Sequence, residues 1–170
     1  MKYDITEDVR TEAYEIALQR DKIARDCGRI MGKFHEDYND IEVNHQGSIG
    51  EIMVEWIYPT LVLAQPAVIN SANTGGTDFL YNGARIEVKC NRFYRPYPLF
   101  YINRQRLVKK MPDLVLCTSI EDKPSLAKVF TVHGWMSATE IMKYPVSTNI
   151  SSPAYAVPVN DLHDPHWIKP

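Results

Sequence analysis

Asn82-Gly83 constrains its surroundings more than any other dipeptide in the chain. It separates two short alternating runs, Thr77-Asp78-Phe79-Leu80-Tyr81 and Ala84-Arg85-Ile86-Glu87-Val88-Lys89. Both turn residues tolerate positive φ, which a two-residue type I′ turn requires, so the stretch predicts a tight β-hairpin. Tyr81 then pairs with Ala84, Leu80 with Arg85, Phe79 with Ile86, and Asp78 with Glu87. The period of two puts Asp78, Glu87 and Lys89 on one face and Phe79, Tyr81, Ala84, Ile86 and Val88 on the other. One side suits a core. The other brings two acids and an amine together, with the acids' Cβ atoms roughly 5 Å apart.

Like charges facing each other across a ladder destabilise it unless something neutralises them. A divalent cation would do so, and hard oxygen ligands suit Mg²⁺ or Mn²⁺. A bare Glu-x-Lys arises by chance at roughly one position in 300, so the tripeptide decides little by itself. The Asp in register, the turn between and the apolar opposite face carry the reading. The competing reading is a surface strand with an ordinary ion pair.

A chain of 170 residues with 45% hydrophobic content supplies one domain with a real core. No apolar run is long enough to span a bilayer, and Met1-Lys2-Tyr3-Asp4 lacks the apolar segment of a signal peptide. Cys27, Cys90 and Cys117 are odd in number and far apart, which points to reduced thiols in an intracellular protein and not to a zinc or disulfide frame.

The formal net charge of −2 conceals an asymmetry. From Arg85 to Lys110 eight bases (Arg85, Lys89, Arg92, Arg95, Arg104, Arg106, Lys109, Lys110) accompany one acid, Glu87, whereas residues 1–60 hold thirteen acids and seven bases. The basic stretch is interleaved with Phe93, Tyr94, Tyr97, Phe100 and Tyr101. That mixture suits phosphate contacts with stacking, and its alternative is a solvated charged face.

Around this centre the pattern predicts an α/β unit. Thr6 is an N-cap for a helix whose stripe runs Val9, Ala13, Ile16, Ile23, Cys27, Ile30 and Phe34, broken only by Arg20, with an end or kink near Gly28 and Gly32. The stripe packs on its own domain, a homodimer seam being the alternative. A second helix is expected from Ser48 to about Tyr58, with apolar residues Ile49, Ile52, Met53, Trp56 and Ile57. There Ser48-x-x-Glu51 reads either as a capping box or as the source of a third carboxylate. Ala67-Val68-Ile69, Asp113–Thr118 and Lys128–Val132 read as strands, Ser137–Lys143 as a helix capped by Ser137 and Glu140, and Tyr155–Val157 as an edge strand. The order predicts a mixed sheet covered by helices. His163-x-x-His166 reads as solvated loop histidines, His45 as a turn residue and His133 as a packed strand end.

Asp78, Glu87-Val88-Lys89 and the preceding Gly47-Ser48-Ile49-Gly50-Glu51 together resemble the PD-(D/E)XK nuclease superfamily, with its restriction-endonuclease-like mixed β-sheet flanked by helices. The likeness covers residues 45–135, about half the chain, and Thr77 stands where the pattern has Pro. The chain is then expected to be one nuclease domain over 1–170, with the core at about 45–135; an N-terminal helical segment at 6–34 and a C-terminal helix and tail at 136–170 match no detail of the family. The resemblance also implies hydrolysis of DNA phosphodiester bonds with Mg²⁺, for which Mn²⁺ would substitute. Asp78, Glu87, the Val88 backbone carbonyl and Glu51 would then ligate metal, and Lys89 would position the attacking water or stabilise the transition state.

Arg92, Arg95, Arg104, Arg106 and Lys109 are the expected nucleic-acid contacts, with Asn91 and Gln105 as weaker ones. Gly75-Gly76 would leave room for a backbone to approach. The expected partner is duplex or branched DNA, and no membrane. The leading expectation is an endonuclease. The alternatives are a Holliday-junction resolvase or exonuclease of the same fold, an RNA-directed enzyme, a non-catalytic nucleic-acid-binding or assembly protein, and a structural domain with an incidental ion-pair hairpin.

Overall fold

Three of the four expected hairpin pairs form; the fourth, Asp78 with Glu87, does not, because Asp78 lies outside the ladder with its N–H bonded to the Ile86 carbonyl. In the computed structural model, which describes residues 1–26, 40–64, 77–92, 99–148 and 152–167, Asn82 and Gly83 take φ 48 and 83. Strand β3 (Phe79–Tyr81) pairs with β4 (Ala84–Arg92) as Tyr81↔Ala84, Leu80↔Arg85 and Phe79↔Ile86. The apolar face is buried as the alternation requires: Phe79, Ile86 and Val88 all belong to the main core.

Helix α1 (Glu7–Asp26) begins at the Thr6 cap, whose Oγ1 accepts from the Val9 N–H at 3.3 Å. Of the expected stripe, Val9 and Ala13 are buried in the main core and Ile16 packs against it, whereas Ile23 is only half-buried; the helix also buries Ala17 and Ala24, which the stripe did not include. Arg20, the break in that stripe, is buried too. Helix α2 (Asp40–Ile57) is already helical at Asp40, eight residues before the expected N-terminus at Ser48. Ser48 therefore lies inside the helix and caps nothing, and the Ser48–Glu51 capping box does not form. The capping signature was matched by residues that an amphipathic stretch had already absorbed. His45 is likewise inside α2 and buried, not in a turn, with Nε2 2.9 Å from the Arg10 carbonyl. Cys27, Ile30, Phe34, the Ala67–Ile69 strand, Gly75-Gly76 and Arg95 lie outside the described residues.

Six strands form the main sheet in the order β1-β7-β6-β4-β3-β2. Besides the hairpin these are β1 (Lys2–Asp4), β2 (Val62–Leu63), β6 (Leu114–Ile120) and β7 (Val129–Ser137). β4 and β6 run parallel, while the other neighbouring pairs in the sheet are antiparallel. Parallel neighbours need a crossover connection, and residues 93–113 supply it. This stretch, in which the sequence pattern marks no element beyond a basic connection, contains β5 (Leu99–Asn103) and α3 (Arg104–Lys110).

β5 joins β9 (Ala154–Pro158) and β8 (Val146–Ser147) in a second sheet, order β5-β9-β8. β9 is thus its central strand, not an edge. Its flanking prolines suggested an edge, but Pro158 is its last residue and Pro153 precedes it, so neither interrupts the middle of the ladder. Helix α4 (Ala138–Ile141) has the expected capping box between Ser137 and Glu140.

The alternation along β6 shows how the layers stack. Leu116 and Ile120 belong to the core beneath α1 and α2. Val115 and Cys117 belong to a second core with Phe100, Ile102, Leu107, Met136 and Val157. The small sheet with α3 and α4 therefore covers the face of the main sheet opposite the long helices. A register shift opposite Cys117/Thr118, at His133 and Gly134, lets β7 serve both cores. His133 thus sits in mid-strand, 2.8 Å from Ser119 Oγ and edge-on to Phe100.

Candidate functional site

Glu87 and Lys89 lie on β4 in register with Val115 and Cys117 of β6, on the face turned toward the small sheet. The carboxylate of Glu87 is buried and meets two ammonium groups. Lys89 Nζ donates to Oε1 at 2.6 Å, and Lys110 Nζ donates to Oε1 and Oε2 at 2.9 and 2.7 Å. Topology explains the second lysine. β6 pairs Leu114 with Ile86, so the helix that ends just before it delivers residue 110 beside residue 87. Asp113 locks the junction, accepting from the Arg85 N–H at 2.7 Å and from its Nε at 3.3 Å.

Asp78 precedes β3 and is buried. Its N–H donates to the Ile86 carbonyl at 3.1 Å, and its Oδ2 accepts from the Val88 N–H at 2.7 Å. Because N–H and C=O of one strand residue share an edge, the Val88 carbonyl faces the same side of β4 as Asp78.

The electrostatics separate the two acids. Burial, then the charges of Glu87 and Glu51, push Asp78 up to about 7, against the opposing pull of Lys89 and Lys110. Burial works against the charged form of Glu87 as well, but the two lysines outweigh it and hold that carboxyl below its ordinary value. Lys89 is desolvated too, yet Glu87 and Asp78 hold its ammonium above the ordinary value.

Glu51 projects from α2 where the helix crosses β4. A Cβ on Gly50 would lie 2.6 Å from that of Cys90, so glycine is what permits the close approach. Glu51 is held by the buried Arg20 of α1 at 3.1 and 2.5 Å, and Arg20 also reaches Ser48 Oγ at 3.3 Å. Sequence periodicity marked Arg20 only as an interruption. A cation on an otherwise apolar stripe, with an acid on the facing helix, was the available signal. Among the described residues no three of His, Cys, Asp and Glu converge as a metal-holding group.

Of the expected nucleic-acid contacts, Arg104, Gln105, Arg106 and Lys109 are exposed on α3, capped by Asn103, whose side chain accepts from the Arg106 N–H at 2.9 Å. Lys110, the last residue of α3, bonds Glu87, which places this basic helix beside the acidic centre. Asn91 and Arg92 are half-buried on β4. Tyr101 is exposed, but Phe100, expected to stack with a ligand, is wholly buried in the second core because β5 alternates its faces. Lys110 was counted only as part of the basic stretch, and nothing in its spacing tied it to Glu87.

At the far end, His163 and His166 are both exposed, as expected; His163 Nε2 lies 2.9 Å from Glu140, and its backbone pairs with Trp135. Among the described residues no helix is long and apolar enough to cross a membrane. No family model, curated protein or solved structure matches the chain.

Proposed function

We propose that this chain is a Mg²⁺-dependent deoxyribonuclease of the PD-(D/E)XK type, with a restriction-endonuclease-like core and endonucleolytic action on DNA. The observation that carries the reading is Asp78, Glu87 and Lys89 gathered at the end of one hairpin, both acids buried and the lysine bonded to Glu87. The donor set fits a hard divalent ion. A carboxyl raised chiefly by burial, and further by two neighbouring acids, is one that a cation would return to its charged form.

Asp78, Glu87 and the Val88 carbonyl would hold Mg²⁺ or Mn²⁺, with Glu51 joining them directly or through water. The ion supplies polarisation of the phosphate and a more acidic attacking water. The chain's own groups do the rest. Lys89 places a positive charge beside the acids, where charge develops on a phosphate, and partial exclusion of water strengthens it. Arg104, Arg106 and Lys109, with Gln105, present an exposed cationic helix that would position the backbone without reading sequence.

The test is incubation with plasmid, linear duplex, branched and single-stranded DNA and RNA, in Mg²⁺, Mn²⁺ or EDTA. Cleavage of at least one DNA that requires metal and disappears in Asp78→Ala, Glu87→Ala and Lys89→Ala is the expected result. Cleavage unchanged in all three variants would remove the assignment. A non-catalytic nucleic-acid-binding or assembly protein is the second reading, favoured by the Lys110 and Arg20 ion pairs that engage Glu87 and Glu51. It predicts salt-sensitive binding without cleavage.

A further inference from the structure

We propose that Lys110 competes with a divalent cation for the carboxylate of Glu87, so that this lysine sets the metal affinity of the site and must swing away as an ion enters. The inference rests on the metal-nuclease reading above. Its basis is geometric. Lys110 spans both Glu87 oxygens, at 2.9 and 2.7 Å, whereas Lys89 bonds Oε1 alone. A cation approaching either Glu87 oxygen therefore meets an ammonium already bonded to it.

Charge balance gives the same answer. Asp78 and Glu87 together carry at most two negative charges, and Lys89 and Lys110 supply two positive ones, so a divalent ion added without rearrangement would leave a buried excess of two. Of the two lysines, Lys110 is the one that can leave. Lys89 is fixed two residues along the same strand and bonds Glu87 from there. Lys110 ends a separate helix among the exposed Arg104, Arg106 and Lys109, and rotation of its four-carbon stem carries the ammonium toward that surface. Released there, it would join the cations that face a DNA backbone.

The experiment is calorimetric titration of the DNA-free protein with Mn²⁺, comparing wild type with Lys110→Met, Lys110→Gln, Lys110→Arg and Lys109→Met. Thermal unfolding is recorded for each. Loss of a two-pronged charged hydrogen bond should make Lys110→Met and Lys110→Gln bind Mn²⁺ about tenfold more tightly. Lys110→Arg and Lys109→Met should stay within about threefold of wild type, since the first keeps the charge and the second alters only a distant field. Glu87→Gln should abolish the tight site in either background.

Equal or weaker binding by the Lys110→Met and Lys110→Gln proteins, while wild type binds Mn²⁺, would overturn the inference and leave the nuclease reading standing. Equal tightening by Lys109→Met would also overturn it, because a general field would then suffice. Absence of Mn²⁺ binding in every protein would sink both.

Discussion

Replacing Asp78 with Asn isolates the cost of the buried acid. Asn preserves the shape and an oxygen for the 2.7 Å bond from the Val88 N–H. In the wild type Asp78 ionises near 3.8 when unfolded and at about 7 when folded. Between those values the unfolded chain has released the proton and the native protein still holds it, so native stability falls as pH rises. The slope is about 1.4 kcal/mol per pH unit, and the penalty is complete above pH 7 at about 4 kcal/mol.

Asp78→Asn lacks this contribution. Glu87 is present in both proteins and its stabilisation, which is lost only as pH falls through its lowered folded value, largely cancels in the difference. Urea unfolding in EDTA at pH 5, 6, 7 and 8 should therefore show the variant gaining about 2–3 kcal/mol on wild type across the series, most of it by pH 7. The gain with pH is the test, because a constant offset reflects only the amide's own hydrogen bonding. Parallel profiles would show that Asp78 titrates as an ordinary carboxyl and that the acids do not share a low-dielectric site. Excess Mn²⁺ should shrink the gap by stabilising the wild type alone.

Glu87→Ala strands Lys89 and Lys110 together in a partly dehydrated site and should cost about 3 kcal/mol in urea at pH 7; a loss below about 1 kcal/mol would mean water solvates both ammoniums freely. Gly50→Ala gains about 1 kcal/mol of helix propensity, but the new Cβ meets Cys90 and should leave a net loss of about 1–2 kcal/mol by thermal unfolding. A net gain would show that α2 can lift off β4 at no cost. Removing Arg104, Arg106 and Lys109 together should lower the salt dependence of DNA affinity by about two to three phosphate equivalents while leaving Mn²⁺ affinity nearly unchanged. An unaltered slope would move the DNA surface elsewhere.

Local rules were enough to specify the hairpin from the Tyr81–Ala84 pair to the Phe79–Ile86 pair, because Asn82-Gly83 demands positive φ and the period of two then assigns those side chains to faces, but they misplaced Asp78, which leaves the ladder. The Thr6 cap, the β6–β7 pair and the Ser137–Glu140 box are legible for the same reason: each is decided within a few residues. Where local signals competed they misled. Ser48-x-x-Glu51 imitates a helix start inside α2, and the aromatic-basic mixture of 93–110 hides β5 and α3. Only the tertiary structure could reveal the partners of the acids, since Lys110 reaches Glu87 across 23 residues and Arg20 reaches Glu51 across 31. Those contacts depend on the parallel β4–β6 pairing and on the packing of α1 against α2. Pairing and packing of this kind are set by the whole core, and no short stretch of sequence encodes them.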